Sequence, residues 1–393
     1  MSDRAMDATR IKKSLGDLRP VYVVGIGLHP YQAPGPISYA QLGLTAAREA
    51  LHDGNVRWAD VDSAVIGTAL VAVASGRPML RHLGTNAVAI SHIENASASG
   101  SSAFRQACIE VAAGIADVAL ALGVDKPEMR PDGFSRSGLP ELLPGIVSPM
   151  THFALLAQSY IERFGATEAQ LAAVTVKNLG NASRNPFAQR RQAVTLADVL
   201  DGKPLVGTLT KLQCCPVGEG AAAVVIASEA AIRRLGLDAR RAIRVEASVS
   251  MSESPYEPGV FADAELTRRA VGVLLNQAGR KAEELDLVEV HDAFSIEELV
   301  YAEAIGLAAA GEAGRAVANG EFDIGGRCAV SASGGLLGMG HPVGPTGVGQ
   351  IAEIVRQLRG EAGGRQHANA RLGLAHMLGL GSVCVAHLLS ADR

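Results

Sequence analysis

The sequence predicts an α/β protein made of two repeated βα halves, with a long segment inserted in the first half. Short β-branched runs alternate with longer Ala-rich stretches of helical period, which is typical of helices packed on a mostly buried sheet. The 393 residues, 48% of them hydrophobic and 19% charged, suffice for roughly two to three domains and exclude a disordered chain. Glycine turns at 218–220 and 379–381 each lead into an apolar strand. This indicates a duplication, although a glycine before a strand is also common by itself.

The elements follow this alternation in order along the chain. In the first half the β-branched runs predict strands at 21–26, 61–66, 118–122 and 221–227, and the Ala-rich stretches predict helices at 39–52 and 101–113. Between 124 and 217 Pro and Gly interrupt the pattern and helices are predicted at 154–164 and 168–179, so this stretch is interpreted as an insertion. The second half is predicted to contain strands 243–248, 287–291, 328–331 and 383–388 and helices 264–278 and 347–359. The resulting division is an arm at 1–20, a first half at 21–123 and 218–242, a loop domain at 124–217 and a second half at 243–393.

Composition argues against several classes of protein. The formal net charge of −4 gives no chain-wide attraction to nucleic-acid phosphates. The longest apolar runs fall well short of the roughly 18 residues that a membrane helix needs, so no membrane span is expected. Residues 1–20 lack the apolar core of a secretory signal, and five cysteines is an odd number, so we expect reduced thiols and a cytoplasmic protein. The adjacent Cys214 and Cys215 have no second pair at metal-ligand spacing, which favours core packing and predicts no metal site.

A turn of small polar residues at 94–103 directly precedes the predicted helix 101–113 and contains Ser97. The free N–H groups and partial positive charge at a helix N-terminus stabilise anions and activate nucleophiles. Small neighbours also allow close approach of a ligand or another backbone. Serine is equally the ordinary N-cap residue, so a capping role for Ser97 stays open.

A second polar group follows the buried strand 287–291, where His291 and Asp292 stand at its carboxyl end. Parallel sheets bind ligands outside that edge. An imidazole there can act as an acid, a base or an oxyanion donor. The alternative is a structural histidine that bonds to a loop carbonyl.

The most specific run is 334–347, in which glycines and prolines hold the backbone on a tight path and present His341 before the next helix. A nucleotide-phosphate loop is the competing interpretation. The run lacks the Gly-Lys-Ser/Thr ending of such a loop, and the chain has no early Gly-x-Gly-x-x-Gly turn.

Together these segments resemble the thiolase superfamily, and most closely its sterol-carrier-protein and lipid-transfer-protein branch. The resemblance spans almost the whole chain: Asn-x-Cys-x-Ser-Gly matches 95–100 except at Ser97, His-Asp-x-Phe matches 291–294, and Gly-His-Pro-x-Gly-x-Thr-Gly matches 340–347. Asn185-Pro186 and 218–223 also look like family landmarks. The resemblance implies two βαβαβαββ halves in five layers with a loop domain in the first, and a homodimer or dimer of dimers. It further implies an acyl-CoA substrate, CoA as a second substrate and no covalently bound cofactor.

The resemblance also implies roles for particular residues. His341 would activate the nucleophile and bind an oxyanion, His291 would share the other oxyanion or water site, and the backbone N–H groups of Ser97 and Gly379 would hold the thioester oxyanion. Contacts to the acyl-CoA are expected from Asp292, Phe294, Gly338 and Met339, with His152 and Phe153 lining the acyl pocket or simply packing. The cations of the loop domain are candidates for the CoA phosphates, or else form a solvated face. They are Lys177, Arg184, Arg190 and Arg191. Relatives on this branch often work with a small partner that carries a zinc ribbon and an OB-fold.

The sequence departs from the family at the reactive positions. The nucleophile position holds Ser97, the sterol-carrier branch has a cysteine where this chain has Ala293, and other thiolases have one where it has Met377. A thiol has a pKa of about 8.5 and is partly ionised near neutrality, whereas an alcohol needs a base. Three explanations stay open: an engineered Cys-to-Ser change in a thiolase, a natural lyase that splits a 3-hydroxyacyl-CoA by retro-aldol chemistry, and a non-catalytic acyl-CoA or lipid binder. The leading expectation is CoA-dependent cleavage of a 3-oxoacyl-CoA, or its reverse.

Overall fold

The same arrangement of five strands occurs twice in the protein. The computed structural model describes residues 13–71, 73–127, 129–130, 133–134, 148–255, 261–380 and 382–391. The first half begins with β1 (Val21–Gln32), α1 (Tyr39–Asp53), β2 (Ser63–Gly67), α2 (Gly76–Leu80), β3 (Ala89–Ile93), α3 (Ser99–Ala112) and β4 (Val118–Asp125). The inserted segment contributes β5 (Met129–Arg130), β6 (Gly133–Phe134), α4 (Pro149–Phe164), α5 (Glu168–Ala182), α6 (Leu196–Leu200), β7 (Pro204–Val206) and β8 (Leu209–Thr210). The first half then closes with β9 (Glu219–Ser228) and α7 (Glu229–Leu235).

The second half repeats this order. Its elements are β10 (Ile243–Ser252), α8 (Ala262–Ala278), β11 (Leu287–Glu289), α9 (Ser295–Ile305), α10 (Ala313–Ala318), β12 (Ala329–Val330), α11 (Gly335–Met339), α12 (Thr346–Leu358), β13 (Leu372–Gly379) and β14 (Val383–Ser390). Short 3-10 turns lie at Leu15–Asp17, Trp58–Asp60, Arg81–Leu83, Lys211–Gln213, Ala239–Arg241, Ala282–Glu284 and Gly363–Arg365.

Within the described residues, ten strands form one sheet in the order β3-β2-β4-β9-β1 and then β10-β14-β13-β11-β12. In the first half β2 is parallel to β3 and β4, while β9 is antiparallel to β4 and β1. In the second half β11 is parallel to β12 and β13, while β14 is antiparallel to β13 and β10. Both halves therefore have one strand order and one set of directions, which confirms the predicted duplication. They join through the antiparallel pair of β1 and β10.

Helices separate the two halves of the sheet and cover both outer faces. α3 and α12 contact each other and strands of both halves, so they form the middle layer. α1 packs on the outer face of β1, β9 and β4, while α8, with α9 beside it, packs on β10 and β14. Three buried apolar clusters of the described residues fill the spaces between these layers. The result is the expected five-layered αβαβα arrangement.

Glycines bring the two central helices together at their N-termini. A Cβ on Gly100 would lie 2.3 Å from the carbonyl oxygen of Gly344, and one on Gly347 would lie 2.2 Å from the hydroxyl of Ser101. Real Cβ atoms do not approach other atoms so closely, so glycine is needed at both positions. This contact places the Ser97 turn of the first half beside the His341 loop of the second.

The inserted segment extends from the first half onto the second. Its helix α5 packs against α9, α10 and α11. A Cβ on Gly334 would lie 2.5 Å from the Cβ of Ala182 in α5, and a Cβ on Gly338 would lie 2.4 Å from the same atom. The insertion therefore supports the loops that carry the second half's polar residues.

Several predicted boundaries are wrong by a few residues. The strand predicted at 287–291 ends at Glu289, so His291 lies in the following loop, and the strand predicted at 328–331 is the two-residue β12. β4 runs on to Asp125, three residues beyond the end of the strand predicted at 118–122. α4 begins at Pro149 rather than at 154, because Ser148 precedes a proline at the first helical position. No helix in the part of the chain that the structure describes is long and apolar enough to cross a bilayer.

Candidate active site

Ser97 lies in a tight turn at the N-terminus of the central helix α3. The turn depends on Ala96, which adopts a positive φ of 47°, and the Ala96 N–H donates to the Glu94 carboxylate at 2.6 Å. The helix cap is Ala98, which supplies no side-chain hydrogen bond to α3. Ser97 is therefore not the N-cap, and its half-buried side chain is available for another contact.

The hydroxyl of Ser97 contacts the imidazole of His341, with Oγ 2.9 Å from Nε2. On its other side, His341 Nδ1 lies 2.9 Å from the hydroxyl oxygen of Thr346, and this hydroxyl donates to the carbonyl of Pro342 at 2.6 Å. A hydroxyl has one proton to donate, so Thr346 must accept the proton of His341 Nδ1. His341 Nε2 then carries a lone pair and accepts the proton of Ser97, which is the arrangement of a nucleophile and its general base.

The electrostatics keep this base neutral. Burial and the neighbouring His291 hold the pKa of His341 well below its ordinary value, because both disfavour a positive charge on the ring. A neutral imidazole is the form that accepts a proton. The pair is therefore ready to transfer the Ser97 proton at neutral pH.

The first half holds the His341 loop in place through Asp125 at the end of β4. One Asp125 oxygen accepts the Gly344 N–H at 2.6 Å. The other accepts the Thr68 hydroxyl at 2.6 Å and the Leu70 N–H at 2.8 Å. Burial nonetheless raises the pKa of Asp125. This carboxyl group fixes the loop from outside the second half.

His291 stands beside the pair and is held by a buried carboxylate. Its Nδ1 lies 2.8 Å from Glu297 Oε1, and its ring is nearly perpendicular to that of His341 with the centroids 5.3 Å apart. Glu297 also accepts the Phe294 N–H at 2.8 Å and the Tyr301 hydroxyl at 3.1 Å. Burial raises the pKa of Glu297, and the charge of His291 opposes that shift. Among the described residues, His291 Nε2 is buried and has no hydrogen-bond partner.

The backbone of β13 closes the site next to the Ser97 turn. A Cβ on Gly379 would lie 2.3 Å from the carbonyl oxygen of Asn95, so only glycine fits there. Met377 is buried against Ala98 and presents a thioether, which carries no transferable proton. All five cysteines are free, and none occupies the position of Ser97, Ala293 or Met377. In the described part of the chain, no three His, Cys, Asp or Glu side chains are grouped as a metal site would require.

Several expected acyl-CoA contacts are instead internal supports. Asp292 is fully buried, and its oxygens accept the Leu336 N–H at 2.6 Å and the Asn178 amide at 2.7 Å. The carbonyls of Gly338 and Met339 accept the N–H groups of Arg190 and Gln189. These polar groups are already used within the protein, so the geometry lends no support to the three predicted substrate contacts, which stay predictions.

The predicted phosphate-binding cations separate into two pairs. Lys177 forms a buried ion pair with Glu298 at 3.0 Å, and the Arg190 guanidinium donates to the carbonyls of Cys214 and Leu337. Both cations already have internal partners, so the geometry lends no support to these two predicted phosphate contacts. Arg184 and Arg191 are exposed, although Arg184 also donates to the Gly364 carbonyl at 3.0 Å.

The two aromatic candidates lie together near the site. Phe153 stacks on Phe294 with ring centroids 4.9 Å apart, which places α4 of the inserted segment against the 291–294 loop. His152 is half exposed and lies 2.9 Å from the carboxylate of Asp263, which raises the pKa of His152. An apolar wall with a polar rim therefore borders the site on the side of the insertion.

Comparison with known proteins decides the family. The chain matches the family model "Thiolase, N-terminal domain" over residues 35–198 and "Thiolase C-terminal domain-like" over 257–390. It is 32% identical to sterol carrier protein 2 of Homo sapiens, over 94% of this chain and 72% of that protein. The chain belongs to the thiolase superfamily. Within it, the chain lies in the sterol-carrier-protein and lipid-transfer-protein branch.

Two further relatives represent different thiolase-type proteins. The chain is 34% identical to the benzoylsuccinyl-CoA thiolase subunit BbsB of Thauera aromatica, over 92% of this chain and 95% of that one. Among solved structures it is similar to the "Ltp2-ChsH2(DUF35) aldolase", with a TM-score of 0.80, 25% identity and coverage of 96% of this chain and 99% of that one. The thiolase fold is thus confirmed, and it supports more than one reaction in these relatives.

Three residues of the site were not expected from the sequence. Thr346 lies inside the Gly-His-Pro-x-Gly-x-Thr-Gly run but was taken only as part of a motif. Asp125 ends an apolar strand, and a polar residue at the carboxyl end of a buried strand was the signal that could have revealed it. Glu297 lies in the first turn of α9, six residues after His291, where an acidic residue is ordinarily a helix-dipole partner.

Proposed function

We propose that this protein is an acyl-CoA C-acyltransferase of the thiolase type, which cleaves a 3-oxoacyl-CoA with CoA or catalyses the reverse Claisen condensation. The observation that carries the proposal is the 2.9 Å contact between Ser97 Oγ and the unprotonated Nε2 of His341. Coenzyme A is a substrate in this reaction. The thiolase relative from Thauera aromatica supports the same reaction class.

In the proposed cleavage Ser97 attacks the 3-carbonyl carbon while its proton moves to His341 Nε2. The bond between carbons 2 and 3 then breaks, its electron pair forms the enolate of the shorter acyl-CoA, and the remaining acyl group is left as an ester on Ser97. The thiol of CoA attacks this ester, and His341 returns the proton to Ser97 as it leaves. The backbone N–H groups of Ser97 and Gly379 would hold the thioester oxyanion, which the close approach of β13 to the Ser97 turn supports.

A retro-aldol lyase is the second candidate, and two observations favour it. No thiol of the chain occupies the Ala293 or Met377 position, and the aldolase is similar over nearly the whole chain. In this reaction His341 would take the proton of a 3-hydroxyl group while the bond between carbons 2 and 3 breaks. The products would be a carbonyl compound and an acyl-CoA enolate, with no acyl-enzyme and no need for free CoA.

The assembly of the enzyme is also a proposal. β3 forms one outer edge of the sheet, and its side chains are exposed or half-buried, so its free edge supports a homodimer or dimer of dimers. The name of the similar aldolase gives two components, and one of them is marked DUF35. This supports co-expression with a small acyl-CoA-binding partner of the zinc-ribbon and OB-fold type, as the family resemblance suggests.

Ser97→Cys and Ser97→Ala test the nucleophile. With a panel of 3-oxoacyl-CoA thioesters and free CoA, the parent is expected to form an ester at Ser97, detected as a mass increase of its peptide. Ser97→Cys is expected to cleave faster, because a thiol is partly ionised near neutrality, and Ser97→Ala is expected to form no adduct. Each form is assayed with and without a co-expressed partner.

The same assays distinguish the alternatives. Cleavage of a 3-hydroxyacyl-CoA without free CoA, retained in Ser97→Ala, would replace the thiolase proposal by the lyase. Binding of acyl-CoA without turnover in either the Ser or the Cys form would leave only a binding function.

A further inference from the structure

We propose that His291, positioned by Glu297, moves the proton at the α-carbon of the acyl-CoA and so replaces the missing second cysteine. This inference rests on the proposed function, because it assigns a step of the same reaction. His291 would be a catalytic residue that touches the reacting carbon. Glu297 would be a positioning residue that acts through His291.

Three donors surround Glu297 and fix its role as an acceptor. The Phe294 N–H and the Tyr301 hydroxyl point to its oxygens, at 2.8 Å and 3.1 Å. The third contact is His291 Nδ1 at 2.8 Å. Because Tyr301 and Nδ1 share Oε1, this oxygen is an acceptor, and Nδ1 carries the proton. The tautomer of His291 is thereby fixed with Nε2 as the atom that gains or loses a proton.

That second nitrogen is unused by the protein. Nε2 is buried and without a hydrogen-bond partner in the described residues, and the ring meets the His341 ring at an 83° angle. An unpartnered buried nitrogen is costly unless a ligand satisfies it. His291 Nε2 lies beside His341, the base for Ser97, and not in the core. This position indicates that the substrate is the ligand that satisfies the nitrogen.

Two other groups at the site cannot transfer a proton, and a third group is a rival for the step. The Met377 side chain has no transferable proton, and the Ala293 side chain is only a methyl group. Cys215 is the main rival, because its N–H donates to the Ala293 carbonyl at 2.8 Å beside the antiparallel pair of Cys214 and Phe294. Residues that oppose each other in this way lie side by side, so the Cys215 thiol is near the position of the missing cysteine.

The charge environment of His291 comes from every element packed around it. Glu297 is the only one of the neighbouring groups described here that forms a hydrogen bond to the ring. The titratable groups that face the pair are His341 of the 340–345 loop, His152 of α4, Tyr301 of α9, His376 of β13, Asp263 of α8, and the thiols of Cys214 and Cys215. Burial and His291 lower the pKa of His376 to about 3, so that imidazole is neutral and does not compete as an acid at neutral pH.

The proton balance closes with these residues. In cleavage, the imidazolium of His291 gives its Nε2 proton to the α-carbon as the bond between carbons 2 and 3 breaks, and the Glu297 carboxylate offsets the positive charge before that transfer. The incoming CoA thiol then gives its proton back to His291 Nε2. Meanwhile His341 exchanges its proton only with Ser97. In the synthetic direction, neutral His291 removes the α-proton and the enolate attacks the acyl ester.

Exchange of the α-hydrogens of acetyl-CoA with deuterium from D2O isolates this step and is measured by mass spectrometry of the recovered acetyl-CoA. His291→Gln keeps an N–H donor near the Nε2 position but cannot transfer a proton. We expect exchange to fall by about 100-fold or more in this variant. Acetylation of Ser97 by acetyl-CoA, measured as a peptide mass increase, is expected to change less, because it breaks no bond at the α-carbon and because CoA, whose thiol is partly ionised near neutrality, can leave as a thiolate without the His291 proton.

Glu297→Gln tests the positioning role through a pH profile. Without the carboxylate, no negative charge offsets a proton that the ring carries during the transfer. We therefore expect the plateau of the pH profile of exchange to drop by about tenfold or more. Glu303→Gln is the matched control on the same helix, since Glu303 accepts the Tyr160 hydroxyl and the Ala313 N–H away from His291. This control is expected to leave the profile unchanged.

The possible results separate this inference from the proposed function. Exchange that persists in His291→Gln, or is lost instead in Cys215→Ser, would overturn the assignment to His291. A Ser97-acetylated parent that shows no exchange would also overturn it. Exchange that depends on His291 without any Ser97 adduct would retain the inference and reject the thiolase proposal.

Discussion

His341→Gln is expected to slow acylation of Ser97 by about 10³-fold to 10⁴-fold, the upper range for loss of a general base. The glutamine amide can still reach the serine hydroxyl, but an amide oxygen is far too weak a base to accept its proton in the transition state. The rate is measured by rapid mixing with an acyl-CoA and mass analysis of the Ser97 peptide. The hydrogen bond from His341 Nδ1 to the Thr346 hydroxyl sets the tautomer of the imidazole. The size of the loss therefore also depends on this bond.

Two further variants set limits on the size of the loss in His341→Gln. Thr346→Val removes the acceptor of the Nδ1 proton and is expected to cost about tenfold, the equivalent of one ordinary hydrogen bond. His82→Gln, at an exposed histidine far from the dyad in the first half, is the control and is expected to match the parent. If His341→Gln acylates at the parent rate, His341 is not the base and the dyad is only a structural contact.

Much of the fold could be predicted from local patterns, because apolar runs mark strands that are buried throughout, such as β4 and β9, and an exposed face marks several helices. α1 and α8, for example, carry one polar and one buried face, and both are found within two residues of their predicted ends. α9 was not predicted, because all but two of its eleven residues are buried and no polar face marks the helical period. β3 was missed for the opposite reason, since it is an edge strand whose side chains are mostly exposed.

The active site shows the same limit. Ser97 and His341 could be proposed from the sequence because small residues and glycines mark the turns that carry them, and His291 because it follows a buried strand. Their partners could not, because Thr346 and Glu297 act through contacts that only the fold creates. The tautomer of His341 depends on a single hydroxyl that donates to Pro342, and no periodicity in the sequence encodes that direction.

The buried charges were the least predictable feature. Lys177 and Arg190 occur in a segment rich in cations, which favoured a solvated or phosphate-binding face. Instead, Arg190 donates to three backbone carbonyls, and burial lowers the pKa of its guanidinium. A charged side chain is tolerated inside a protein when such partners replace water, and a sequence does not list those partners.

Lys177→Met is expected to lower the free energy of unfolding by about 3–5 kcal/mol, the usual cost of removing one partner of a buried ion pair. The Lys177 side chain is 4% exposed and that of Glu298 is 0% exposed, with Nζ 3.0 Å from Oε1. The ammonium also donates to the Val330 carbonyl at 2.6 Å, so it links α5 of the inserted segment to β12. Its loss leaves Glu298 as an uncompensated buried carboxylate. Urea denaturation measures the change, with Lys211→Met at an exposed position as the control.

The effect should extend to α11, which precedes the His341 loop, because the Asn178 amide donates to both Glu298 and Asp292, and Asp292 holds the Leu336 N–H. Adding Glu298→Gln to Lys177→Met removes the unpaired charge and is expected to recover part of the lost stability. Recovery identifies the buried carboxylate as the cause of the loss. A Lys177→Met protein as stable as the parent, or a double variant less stable than the single one, would instead show that the ion pair contributes little and that packing holds α5 against the site.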